Sequence, residues 1–302
     1  MITNLRLHEV SHPSKDAAAR YDALTGIDTH KEQLLDELSL CLDAKRVEKW
    51  RKTHHPKGLP GIGAMGGGSP LILLSGEVGC GKTALATSVG TPLANTLDRL
   101  ILAMETPSDI RGHGLVGELS TRITEAFEQA RARAKQVGCG LLIIDEADDL
   151  ATARGQAQAH HEDRAGVNVL IKQIDAIARE KAPLAVLMIT NRSSALDPAV
   201  TRRASLHLRF DRPNAVQRRA VMEQLLAGTR PTKDELDALM EATGARHGVP
   251  FSFSDLTVRL GRSALRQAWR ADSPFGAAVL LDALAHIEPS PLVTREEPRT
   301  DA

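Results

Sequence analysis

The sequence has few aromatic side chains, with two tryptophans, one tyrosine and five phenylalanines in 302 residues. A grip on a substrate through aromatic contacts therefore has little to draw on. There is no excess of either charge. Lys+Arg and Asp+Glu stand at 38 each, so no global field draws the chain to nucleic acid or anionic lipid. Apolar runs long enough to cross a bilayer are missing, since GLLII and PLAVLMI have only the length of strands. The N-terminal stretch MITNLRLHEVSHPSK lacks the apolar core of a signal peptide. Cysteine is scarce and scattered, at Cys41, Cys80 and Cys139, which argues against a disulfide framework or a zinc site and fits a reduced cytoplasm. His54-His55 and His160-His161 are sequence neighbours, which rarely point at one metal.

The composition is that of an ordinary globular protein, 42% hydrophobic and 25% charged, long enough for one large domain or two smaller ones. Residues 29–53 place Leu34, Leu35, Leu38, Leu42 and Val47 at helical spacing, which predicts one amphipathic helix. The following stretch, 54–70, holds six glycines and three prolines and reads as a loop. From residue 71 short apolar runs alternate with helical patterns. Runs at 71–75, 99–104, 140–145 and 184–190 predict buried parallel strands, separated by helical stretches that include 118–138 and 165–180. Alternation of this kind predicts an α/β fold with a parallel sheet covered on both faces. After LHLRFDRP, 206–213, the strands stop and about four helices follow, one opening with the capping box Thr232-x-x-Glu235.

The strand at 71–75 runs into Gly76-Glu77-Val78-Gly79-Cys80-Gly81-Lys82-Thr83, a complete phosphate-binding loop between a strand and a helix. Its glycines let backbone N–H groups turn in around phosphate oxygens. Lys82 supplies a point charge for the β and γ phosphates, and the Thr83 hydroxyl can ligand Mg²⁺. Ala84 continues the nucleotide-binding stretch into the helix. Asp145 ends a buried strand 62 residues after Thr83, where a carboxylate would hold the Mg²⁺ through water. Glu146 follows. Alternation along a strand would turn it to the other side, toward an attacking water whose proton it accepts. Asp148 and Asp149 read as a solvated helix start.

The letters Asp-Glu-Ala-Asp, 145–148, also name a class of RNA helicases. Those carry a second ATPase-fold domain, and the short helical remainder here cannot supply one. Asn191, at the end of the next strand, can reach the γ-phosphate or the water. Arg202 and Arg203 lie about a turn beyond Pro198, where one of them would act as an arginine finger on a neighbouring subunit.

In this order of motifs the chain resembles an AAA+ ATPase over nearly its whole length. The segment YDALTGIDTHKEQL is similar to the family's lead-in, which implies that Gly26 and Ile27 lie near the adenine. The resemblance implies domains at 21–212 (the large α/β ATPase domain) and 213–288 (a small helical lid), with tails at 1–20 and 289–302. It also implies ATP and Mg²⁺ as cofactors, Asn191 as sensor 1, and a homo-oligomer, a hexamer. Within the family, DPAVTRRA and GLVGELSTRITEAF resemble the pachytene-checkpoint ATPases that remodel HORMA-domain proteins. By that likeness Arg203 is the finger and Arg202 the reserve.

Two departures stand out. The pore loop, usually an aromatic followed by an aliphatic, is matched by Leu115, Val116 and Gly117, and Ser254 stands where a sensor 2 arginine belongs, with Arg259 and Arg262 nearby. Only 20 residues precede the lead-in, too few for the adaptor-binding domain of eukaryotic relatives. The resemblance thus implies a bacterial, cytoplasmic member of a CBASS antiphage operon, with a HORMA-domain client and neither membrane nor direct nucleic-acid partner. A general unfoldase or assembly factor with another client, or an ATP-dependent binding switch, are the alternative functions.

Overall fold

The computed structural model describes residues 5–59, 69–108, 110, 117–150 and 161–292. The chain forms two compact units. One comprises Met1–Tyr21, Thr29–Ser75 and Thr83–Arg209, the other Asp22–Asp28, Gly76–Lys82 and Phe210–Ala302.

The first unit is built on a six-stranded sheet, in the order β1-β3-β4-β5-β2-β6. Its strands are β1 (His8–His12), β2 (Leu71–Gly76), β3 (Ile101–Glu105), β4 (Gly140–Ile144), β5 (Leu184–Thr190) and β6 (Ala204–Phe210). The apolar runs became the inner strands because residues buried on both faces need no polar alternation; every residue of β4 and β5 is buried. β3, β4, β5 and β2 pair in parallel. β1 differs from the expected N-terminal tail, since it pairs antiparallel along β3 with His8 opposite Glu105. Its sequence HEVSH carries one aliphatic residue, too little for an alternation signal.

The N-terminal helices are α1 (Lys15–Asp22), α2 (Asp28–Leu42) and α3 (Ala44–His54). The single helix expected over 29–53 is in fact two. Asp43 breaks it, accepting a hydrogen bond from the Arg46 backbone N–H at 3.2 Å and so capping a new helix, α3. Leu34, Leu38 and Leu42 are buried on α2, whereas α3 buries no residue.

Four further helices frame the sheet: α4 (Lys82–Ser88), α5 (Gly90–Leu97), α6 (Glu118–Val137) and α7 (His161–Glu180). One sheet face, with Leu73, Met104, Leu142, Ile144, Val186 and Met188, packs on Ile123, Phe127 and Ala130 of α6 and on Leu170, Ile174 and Ile177 of α7. A short α8 (Pro198–Thr201) precedes β6, capped by the Asp197 carboxylate.

The second unit carries α9 (Ala215–Leu225), α10 (Lys233–Ala242), α11 (Gly261–Arg270) and α12 (Ala277–Ala285). The expected capping box at Thr232 and Glu235 is present, and Asn214 with Gln217 makes a second on α9. A wide π-type turn at Asp255–Leu260 leads into α11. Among the described residues, no helix is long and apolar enough to cross a membrane.

Candidate active site

The phosphate loop leaves β2 through Gly76, whose φ of +123° suits glycine, and a Cβ there would fall 2.1 Å from the Phe210 carbonyl oxygen. Gly79 is constrained in a second way: at φ +71° its Cβ would meet the Ser254 Cβ at 2.9 Å. The Ser254 N–H donates to the Gly79 carbonyl at 2.9 Å. Lys82 is 5% exposed and donates from Nζ to the carbonyls of Gly76 (2.9 Å) and Glu77 (2.6 Å), which aim its amine along the loop. Val78 is half-exposed; Cys80 is buried, and burial above all pushes its thiol up to about 11, so it is no nucleophile. Gly26 accepts a hydrogen bond from Gln217 Nε2 at 2.6 Å, and buried Ile27 brings its Cδ1 to 3.6 Å from where a Gly81 side chain would begin.

The strand ends of the first unit hold the other group. Thr83 follows Lys82 on α4, and its hydroxyl donates to Asp145 Oδ2 at 2.8 Å. The other carboxylate oxygen of Asp145 accepts from the Glu146 backbone N–H at 2.8 Å. Strand alternation is not what separates these two acids, because β4 ends at Ile144. Glu146 instead adopts a left-handed backbone, φ 52°, which turns its side chain into solvent. For a residue with a Cβ that conformation carries a cost on the order of 1 kcal/mol, the kind of strain kept where function requires it.

β5 lies between β4 and β2, so Asn191, one residue past its end, follows a strand flanked by those leading to Asp145 and to the phosphate loop. Its side chain is exposed. Asp148 departs from its expected place in a solvated helix start. It is half-buried and accepts from the Thr190 hydroxyl at 2.7 Å, which ties the turn after β4 to the end of β5. The Ala84 side chain is half-buried on α4.

Arg203 lies just beyond α8. Its Nε and Nη2 hold the two oxygens of Asp175 on α7 at 2.8 and 3.1 Å, and its Nη1 donates to the Ala199 carbonyl at 2.9 Å. Its bond to Asp175 also raises the guanidinium pKa further. Among the described residues three of its five N–H donors are thereby engaged. Arg202 is exposed.

Of the pore-loop residues, Leu115 and Val116 lie outside the described residues; Gly117 caps α6 at φ 81°. The sensor 2 candidates separate. Arg259 Nη1 is committed to Asp255 (2.6 Å) and to the Glu288 carbonyl (2.9 Å), while Arg262 is exposed. Sequence reasoning did not find Arg212, whose buried guanidinium pairs with Glu77 of the loop. The only signal was an arginine two residues beyond the end of β6.

A model of the family described as "ATPase family associated with various cellular activities (AAA)" matches residues 72–212. CD-NTase-associated protein 6 of Escherichia coli strain MS 115-1 is 38% identical over 285 residues, covering 91% of this chain and 90% of that protein. A chain in the structure of the E. coli MS115-1 HORMA:CdnC:Trip13 complex superimposes with a TM-score of 0.89 at 36% identity, over 97% of this chain and 99% of its own. The structure of a Rhizobiales Trip13 gives 0.74 at 33% identity, over 94% and 98%.

Proposed function

The chain belongs to the AAA ATPase family, and we propose that it hydrolyses ATP in a ring of identical subunits, a hexamer, to remodel a HORMA-domain protein of a bacterial CBASS antiphage system. The observation that carries hydrolysis is the 2.8 Å contact of Thr83 with Asp145 beside an exposed, left-handed Glu146. The client rests on the similarity to a protein named for association with a CD-NTase and to a chain solved with HORMA and CdnC partners. The cytoplasm is the proposed compartment.

The chain's own groups divide the work. Lys82 donates to the phosphates, and the loop's N–H groups cradle them. Gly26 and Ile27 flank the base. Thr83 and Asp145 suit Mg²⁺ as hard oxygen donors, and among the described residues no cluster of three His, Cys, Asp or Glu could hold a metal, which fits an ion shared with phosphate oxygens. When bound, that ion neutralises charge on the phosphate oxygens. Glu146 orients the attacking water and accepts its proton. Asn191 holds the water or the γ-phosphate, and the remaining donors of Arg203 meet transition-state charge on a neighbouring subunit's nucleotide.

Glu146→Gln tests the catalytic half. It removes the base but keeps the shape, so turnover should fall about 10²–10⁴-fold while ATP binding survives. Lys82→Ala should lose binding itself. Turnover by Glu146→Gln at the parent rate would overturn the assignment. The client half is tested by mixing the chain and ATP with a HORMA protein bound to its nucleotidyltransferase. A complex that survives active hydrolysis would show that the client is another protein.

A further inference from the structure

We propose that Arg212 is a positioning residue for the phosphate loop, fastening the loop to the C-terminal strap at 288–291. This rests on the reading of Gly76–Thr83 as an ATP-binding loop, and assigns the coupling of lid to nucleotide to a residue outside the sensor 2 position.

The Arg212 side chain is 3% exposed. Its Nη1 donates to the carbonyls of Pro250 (2.5 Å) and Ser290 (2.7 Å), and its Nη2 to that of Pro291 (2.8 Å). Its Nε lies 3.4 Å from Glu77 Oε2, the one carboxylate paired with it among the described residues. Three carbonyls satisfy donors without cancelling charge, so the buried cation depends on Glu77.

Glu77 is in turn fixed at three points. Its N–H donates to the Phe210 carbonyl at 2.9 Å, its own carbonyl accepts from Lys82 Nζ at 2.6 Å, and its side chain faces Arg212. The guanidinium thereby holds the peptide that aims the phosphate-binding amine. A planar fork is needed, since an ammonium has only three donors for the carboxylate and three carbonyls met here.

A second route joins the same two segments. Buried Asp255 accepts from the Ser290 N–H (3.0 Å), the Ser290 hydroxyl (2.6 Å) and the Ser252 N–H (2.9 Å). Two residues on from Ser252, the Ser254 N–H holds Gly79. The strap thus reaches the loop's second residue through Arg212 and its fourth through the Asp255 turn. No arginine is needed at 254.

The test uses the full chain, a fluorescent ATP analogue and Mg²⁺. Glu77→Gln keeps the shape and removes the charge; Arg212→Lys keeps the charge and removes the fork. Each should weaken analogue binding about 10-fold, the scale of one charged hydrogen bond. At saturating ATP, turnover of Arg212→Lys should stay within about threefold, because the loss falls equally on ground and transition states. Hydrogen exchange separates positioning from mere support. In the parent the analogue should slow exchange of the Ser290 amide, and in Glu77→Gln that response should vanish. Parent-like binding by both variants, or an undiminished Ser290 response in Glu77→Gln, would overturn the role of Arg212. If Arg212→Lys fails to fold, Glu77→Gln decides alone. A parent that binds no analogue would instead overturn the ATP-loop reading on which the inference stands.

Discussion

Asp145, Glu146, Asn191 and Arg202 sit at strand and helix ends with side chains partly or fully exposed, whereas Arg212 and Asp255 are at most 9% exposed and each holds several partners. In the proposed function the first set meets species that come and go: water, a metal ion, another subunit. Filling its hydrogen-bonding capacity within the chain would occupy the atoms it offers. The second set keeps a backbone loop in one shape, and for that task complete satisfaction is an advantage. Arg203 stands between them, fixed along one edge by Asp175 and with two donors not engaged among the described residues.

The largest expected effect tests the exposed set. Arg203→Ala should cut ATP turnover on the order of 10³-fold while leaving nucleotide affinity nearly intact, as measured by steady-state kinetics and direct binding. Mixed with Lys82→Ala protein, it should regain partial activity, since some interfaces then pair an intact loop with an intact finger. No recovery in confirmed mixed rings would break the comparison by making Arg203 a residue of its own subunit's site.

A smaller effect tests the buried set. Burial alone would raise the Asp255 carboxyl, but bonds from Ser290, Ser252 and Arg259 outweigh it and hold the group well below the usual carboxylate range. Its stabilisation is therefore present above the unfolded value of about 3.9 and lost as pH falls through the folded value. Asp255→Asn should cost about 2–3 kcal/mol at neutral pH by denaturant unfolding, and the gap to the parent should narrow in acid. A variant as stable as the parent would show that the buried network is dispensable.

The smallest effect concerns an exception among the buried groups. His12 is fully buried; its Nδ1 lies 2.8 Å from the Thr91 hydroxyl, and its Nε2 has no partner among the described residues. Burial, aided by Arg20, pushes its pKa down. As pH drops below about 6.5 the unfolded chain takes up the proton first, so stability falls through that range. His12→Gln should flatten the slope of melting temperature between pH 7 and pH 5.5. An unchanged slope would assign the acid sensitivity elsewhere.

What the sequence made legible was local. The phosphate loop is eight adjacent residues with fixed demands on glycine, and β4 and β5 announce themselves by unbroken apolar runs. The contacts that were missed join distant positions. Arg212 and Glu77 are 135 residues apart and Thr190 and Asp148 are 42 apart, and no spacing rule connects either pair. Ser254 reads as the loss of an arginine, because its contact with Gly79 uses a backbone N–H that any residue but proline would supply. β1 was hidden because an edge strand in contact with water has little reason to be apolar.

That edge has a further consequence. An open sheet border offers a row of backbone groups that a captured segment could join as one more strand. β1 occupies that border with mostly exposed polar residues, and Glu9 is clamped by Arg133 through bonds of 2.8 and 2.6 Å. At the opposite border β6 exposes Ser205, His207 and Arg209, the first two bonded to β2 at the Leu71 carbonyl and the Ser75 hydroxyl. Both margins of the sheet are thereby made unattractive to a loose strand.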